Sequence, residues 1–226
     1  MGQRAPQPYP IALTGLRGLR CVVVGGGEVA LRKVGALLDS GAQVELISPT
    51  LQPELAAWRD AGRLQHMARP YAPGDLAGAF LVIAATDRRE VNAAVAAEAR
   101  ERGMLHNIAD DPDAGNFHTL GAVQRGDVLL AVSTGGGSPA LAAHIRRKLE
   151  TTFGPEYGVL AARLGALRRE IGRSLTPAAR TQLWRALATD EMLALIRAGD
   201  LAQFEARIAA LLDERAASQP EPAERV

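Results

Sequence analysis

The sequence predicts an α/β protein: a doubly wound parallel sheet first, then a shorter pair of strands, then a run of helices. Three observations predict it. The apolar run Cys21–Val24, rich in β-branched residues, passes directly into Gly25-Gly26-Gly27 and then into a helical pattern over 29–39. Such a run suits a strand buried on both faces. Strand-like and helix-like segments then alternate as far as residue 109, as parallel β-α-β units require. From Phe153 onward glycine thins and helical patterning takes over.

In chain order, residues 1–12 are proline-rich and polar and read as a loose arm. The helix over 29–39 stops at Ser40-Gly41. Gln43–Ser48 is the second strand, closed by Pro49, which completes a βαβ unit of about thirty residues. A helix over 51–61 ends at Gly62, a third strand is expected within 63–68, and Asp75–Ala79 reads as a short helix. Phe80–Thr86 is a clear apolar strand. The next helix runs from Asp87 to Arg102, and Met104–Ala109 is the fifth strand. Asp110–Gly115 breaks the alternation. Phe117–Val123 and Val128–Ser133, joined at Gly126-Asp127, read as a further strand pair. Pro139, near a first helical turn, opens a helix to Glu150. Helices are expected near 156–171, 177–189, 190–198 and 200–215, with a polar, disordered tail beyond.

Composition narrows the function classes. The 226 residues carry a formal net charge of +1, which gives no global drive toward nucleic acid. No apolar run approaches the about 18 residues of a membrane span, and Met1–Pro10 lacks the apolar core of a signal peptide. The single cysteine, Cys21, excludes an internal disulfide framework and a cysteine zinc site, and its place in a strand makes it a buried thiol. A cytoplasmic protein, with no nucleic acid or membrane partner, is the expectation.

Gly25-x-Gly27-x-x-Ala30, between a strand and a helix, is the dinucleotide fingerprint of a Rossmann-type domain. Gly25 permits the tight turn, Gly27 lets a pyrophosphate approach, and Ala30 lets the helix lie close on the strand. Glu45 has roughly the spacing of the acid that grips the adenine ribose, but it lies inside its strand. Ser48 stands at the strand end, with Pro49 and Thr50 beside it and no arginine immediately after to hold a 2′-phosphate. NAD is therefore favoured over NADP. In an open parallel sheet, chemistry occurs beyond the carboxyl ends of the strands. That rule singles out the loop after Ser48, Thr86 and Asp87, and Asn107–Asp110, beside the glycine turn of Gly25, Gly26 and Gly27.

Asp110 could take a proton or coordinate a metal; equally, Asp110, Asp111 and Asp113 could be turn formers around Pro112. His118 could shuttle a proton or be a polar residue on a strand surface. Ser133, Thr134, Gly135 and Gly136 lie in a second small-residue turn that could form an anion nest. Arg146 and its basic neighbours on the following helix could grip carboxylates or form a solvated face. No zinc spacing links the histidines.

Four segments resemble precorrin-2 dehydrogenase, the amino-terminal module of siroheme synthase. They are Val23–Lys33, Ala84–Asn92, Asn107–Asp110 with Asn116-Phe117, and Ala131–Ala142 with Ile145–Glu150. The resemblance implies an NAD-binding Rossmann domain over 1–119, a dimerisation segment over 120–150 through which a homodimer forms, a helical domain over 151–215 and a tail over 216–226. It implies NAD-dependent oxidation of precorrin-2 to sirohydrochlorin, with Asp110 as the catalytic aspartate and NAD contacts at Glu28-Val29 and Pro49-Thr50. Some members also insert ferrous iron into sirohydrochlorin with the same aspartate, so no permanent metal is expected. Leu120 and Thr134 depart from the family pattern. No methyltransferase domain is expected, and synthesis of precorrin-2 itself is therefore not expected either. A nucleotide-sensing module without chemistry is the alternative from another class.

Overall fold

The computed structural model describes residues 9–171 and 174–217. The chain divides into two compact units, one ending at Thr119 and the other starting at Leu120.

The first unit is a five-stranded, wholly parallel sheet in the order β3-β2-β1-β4-β5. Its elements are β1 (Arg20–Val24), α1 (Glu28–Asp39), β2 (Gln43–Ile47), α2 (Pro53–Asp60), β3 (Gln65–Met67), β4 (Leu81–Ala84), α3 (Arg89–Glu101) and β5 (Leu105–Ile108). The central strand is covered on both sides, as its apolar run requires. Cys21 and Val23 pack with Val34, Leu37 and Leu55 from α1 and α2. Val22 and Val24 pack with Val95, Ala96 and Ala99 from α3 and with Leu76. Cys21 is fully buried, and burial pushes its thiol pKa up.

Two expectations change here. Asp75–Ala79 is a series of turns rather than a helix. Five residues make too few helical hydrogen bonds to offset nucleation, and Gly74 and Gly78 sit at φ 99° and 75°. Side chains hold the segment instead: Arg69 grips both Asp75 oxygens at 2.7 Å, and Glu98 accepts from the Gly74 N–H at 2.9 Å. The strand expected over Phe117–Val123 instead begins at Gly121 and runs to Arg125. Asn116 ties the segment after Asp110 to the edge of β5 with its side chain, accepting from His106 N–H at 2.8 Å and donating to Met104 O at 2.8 Å.

The second unit pairs β6 (Gly121–Arg125) with β7 (Val128–Val132) as an antiparallel hairpin, with α4 (Pro139–Thr152) against it. Arg125 donates to the carbonyls of Phe153 and Glu150, closing the end of α4. Helices α5 (Glu156–Ile171), α6 (Pro177–Leu187), α7 (Asp190–Ala198) and α8 (Leu201–Ala217) enclose a separate core around Leu167, Leu183, Leu187, Met192, Phe204 and Ile208. The expected arm lies partly, and the expected tail mostly, outside the described residues; 216–217 continue α8.

Candidate functional site

A cleft of about 730 Å³ opens beyond the carboxyl ends of the first unit's strands. The turn after β1, the β2–α2 connection, Pro70 and Tyr71, the β4–α3 connection and Ala109-Asp110 after β5 line it. Each strand delivers its loop to the same end because all five run parallel.

The glycine turn shows three different demands. At Gly25, φ is 118°, and an added Cβ would lie 2.3 Å from Ala85 O. At Gly26 it would lie 2.0 Å from Thr50 O and 2.8 Å from Ser48 Oγ. These two glycines are required by protein packing alone. At Gly27 an added Cβ would meet nothing within 4 Å, although the residue lines the cleft. Gly27 therefore keeps space open for something other than this chain. Backbone bonds lock the turn: Gly25 N–H donates to Ile47 O, and Gln52 N–H donates to Gly26 O, both at 2.9 Å. Gly27 is the N-cap of α1, with no side-chain cap. The first amides of that helix are therefore left for an anion. Open space at Gly27, uncapped amides and a cleft of this size fit a dinucleotide.

The strand end of β2 carries Ser48, buried, whose hydroxyl donates to Thr50 O at 2.7 Å. Glu45 is not available to a ribose: Arg20 binds both its oxygens, at 3.0 and 3.1 Å. Arg88, the cation among the lining residues, pairs with Glu90. Tyr71 turns its hydroxyl away to Glu98. Burial first, then that carboxylate, raises the phenol's pKa far above its ordinary value. Burial would raise the Glu98 carboxyl, but hydrogen bonds from Tyr71, Gly74 and Arg102 together hold it below its usual range.

Asp110 lines the cleft with an exposed side chain and accepts from Asn92 Nδ2 at 2.7 Å. Of the residues singled out from sequence, Gly25, Gly26, Gly27, Glu28, Val29, Ser48, Pro49, Thr50, Thr86, Asp87 and Asp110 all line this cleft. Asn107 does not. It is buried, with Nδ2 donating to Phe117 O at 3.0 Å, because alternation along β5 turns it toward the face covered by α1. His118 is exposed and lies outside the lining as well. Tyr71, Gln52, Arg88, Val91 and, behind the lining, Asn92 were not singled out.

In the second unit, Gly135 and Gly136 take φ 60° and 80°. The turn's amides are largely spent internally. Gly135 N–H donates to Ser133 Oγ, Gly137 N–H to Thr134 O and Ser138 N–H to Thr134 Oγ1. Arg146 pairs with Glu150 at 3.1 Å. The expected anion nest is thus mostly satisfied by its own chain. Among the described residues, no cluster of three metal-binding side chains occurs, and no helix is long and apolar enough to cross a membrane.

Fold and cleft together define a Rossmann-type dinucleotide-binding protein. Residues 12–120 match a family described as "Putative NAD(P)-binding", and residues 125–152 match "Sirohaem biosynthesis protein central". Siroheme synthase of Chromobacterium violaceum is 41% identical over 208 residues, which is 89% of this chain and 44% of that protein. Siroheme synthase of Methylococcus capsulatus is 42% identical over 75% of this chain and 36% of its own length. The chain thus spans less than half the length of these curated relatives. Among solved structures, "SirC, precorrin-2 dehydrogenase" superposes with a TM-score of 0.73 at 27% identity, over 88% of this chain and 99% of that one. The chain is a relative of the siroheme synthases and of this precorrin-2 dehydrogenase, and it binds a nicotinamide cofactor.

Proposed function

We propose that the protein oxidises precorrin-2 to sirohydrochlorin with NAD⁺, in the cytoplasm, as part of siroheme synthesis. The observation that carries this reading is the placement of Asp110 in the same cleft as the glycine turn. The turn and the first amides of α1 would hold the cofactor's pyrophosphate, and Ser48-Pro49-Thr50 would flank its adenosine ribose. The nicotinamide, when bound, supplies the acceptor for the hydride that leaves the macrocycle. Asp110 accepts the accompanying proton, and its exposed carboxylate can pass that proton to solvent. A preference for NAD over NADP fits a β2 end, Ser48-Pro49-Thr50, without a cation.

The protein is further proposed to act as a homodimer. Leu129 and Leu141 stand half exposed, and none of the fourteen residues of α4 is buried. A two-stranded hairpin is marginal alone, and a second copy of the chain would cover this surface. The deciding experiment combines purified protein, precorrin-2 and NAD⁺ without oxygen. NADH and the sirohydrochlorin spectrum should appear together. Folded protein that binds NAD⁺ but yields no NADH would refute oxidation and favour a sensing module.

A further inference from the structure

We propose that Asn92 is the positioning residue that aims the Asp110 carboxylate into the cleft. The inference rests on the reading of Asp110 as proton acceptor. Asn92 lies in the first turns of α3 and is 1% exposed. Its Oδ1 accepts from Thr86 N–H at 3.3 Å and from Thr86 Oγ1 at 2.8 Å. Its Nδ2 donates to Thr86 O at 3.0 Å and to Asp110 Oδ1 at 2.7 Å. Both acceptances and both donations open to an asparagine amide are therefore used.

The direction of the amide is not arbitrary. A backbone N–H can only donate, so Thr86 N–H fixes which end of the amide is oxygen. The nitrogen must then face Asp110. Strands β4 and β5 remain paired as far as Ala109 N–H to Ala84 O, at 2.9 Å. Just beyond, Thr86 and Asp110 have no ladder to hold them, and Asn92 joins the two strand ends. Asp110 itself is exposed, so a buried partner is what limits its freedom. Oδ1 is committed to Asn92, which leaves Oδ2 to meet a proton. A neutral donor suits this task. An amide orients the carboxylate without placing a full charge beside it.

The test uses the full-length protein with Asn92→Asp, which keeps the shape and the oxygen facing Thr86 but replaces the neutral amide donor with a carboxyl that must share a proton with Asp110. The kcat for NADH formation should fall by about 100-fold, the size of effect that follows misplacement of a reacting group. The KM and the binding constant for NAD⁺ should stay within about threefold, because the lost interaction is not one made to the cofactor. A purely structural Asn92 would instead leave kcat per folded molecule at the wild-type value, and that result overturns the proposal. The exchange Asn92→Asp with Asp110→Asn restores one amide and one carboxylate across the same bond. It should recover part of the Tm lost in Asn92→Asp while remaining inactive. An exchange as unstable as the single variant also overturns the proposal. A wild-type protein that makes no NADH removes the oxidation reading and Asn92's role in it, even with Tm recovered in the exchange, so the two failures are told apart.

Discussion

Gly26 and Gly27 are neighbours in one turn, yet alanine at each should fail in opposite ways. At Gly26 the new methyl would sit 2.0 Å from the carbonyl of Thr50, with Ser48 Oγ at 2.8 Å and Ser48 Cβ at 3.1 Å. Backbone must move, and overpacking of this kind costs about 1–3 kcal/mol, or more where a main-chain atom is struck. At about 2–4 °C per kcal/mol for a chain of this size, Gly26→Ala should lower Tm by roughly 2–12 °C. At Gly27 the backbone is extended, at φ −92° and ψ −167°, which alanine adopts freely. Its methyl meets no protein atom within 4 Å. Restricting the unfolded chain stabilises by about 0.4–1 kcal/mol, while alanine in place of glycine at an N-cap costs a comparable amount. The two nearly cancel, so Tm should move by no more than a few degrees. The cofactor, by contrast, meets the methyl where its pyrophosphate must approach. The same overpacking range of about 1–3 kcal/mol, at 1.4 kcal/mol per tenfold, weakens binding by roughly 5- to 150-fold. Thermal unfolding and an NADH fluorescence titration on both variants decide the matter. Wild-type affinity in Gly27→Ala, or unfolding as severe as in Gly26→Ala, would refute the assignment of Gly27 as the ligand-facing glycine.

Other outcomes follow from the same structure. Asp110→Ala should reduce NADH formation by about 10²–10⁴-fold with NADH affinity retained; loss of both together would place Asp110 in cofactor binding instead. The same variant tests ferrous insertion into sirohydrochlorin, whose rate above buffer it should abolish if Asp110 serves both reactions. Acid should destabilise the first unit through Asp75 and Glu98. The hydrogen bond from Arg69 is the main cause holding Asp75 below its ordinary range, and Glu98 is held low despite burial. Their folded pKa values lie below the unfolded ones, so the unfolded chain binds more protons in acid. Stability is therefore complete above the ordinary carboxylate range, about pH 4–4.5, and is lost as pH falls below that range through the depressed folded values. Arg69→Ala, which frees Asp75, should make the acid slope of Tm shallower; an unchanged slope would count against this ion pair. Leu129→Arg on the exposed hairpin face should turn a dimer into monomer by light scattering without lowering the Tm of the first unit.

Much of the fold was legible because its signals are local. The run Cys21–Val24, the glycines after it and the helix stop at Ser40-Gly41 each act within a few residues, and all three elements form where patterning placed them. Pro139 and Pro177 likewise sit at the first turns of α4 and α6. The misreadings share a cause. Asp75–Ala79 carried a helical pattern, but its conformation is set by Arg69 and Glu98 from elsewhere in the chain. Glu45, set aside from sequence because it lies inside its strand, is no misreading: the register β1–β2 brings Arg20 onto it and spends it in an ion pair. Asn107 sits one residue out of phase with the cleft, an error natural in a strand whose residues alternate between faces. Asn92 closed the resembling segment Ala84–Asn92, but no role could be read for it there: its meaning depends on two strand ends, six and eighteen residues away in sequence, meeting at one side chain.

The same reasoning separates Asp110 from the acids around it. From sequence alone, Asp110, Asp111 and Asp113 were equally good turn formers beside Pro112. In the structure the turn needs only one of them. Asp111 accepts from Ala114 N–H at 3.3 Å and caps the 3₁₀ turn Pro112–Ala114. Asp110 takes no part in that cap, and a buried amide from α3 holds it at the cleft. Had Asp110 been a turn former, its partner would have been a nearby backbone N–H, as for Asp111. A long-range bond from a fully satisfied, buried asparagine contributes nothing to the local turn, so the constraint on this carboxylate is best explained by the cleft it faces.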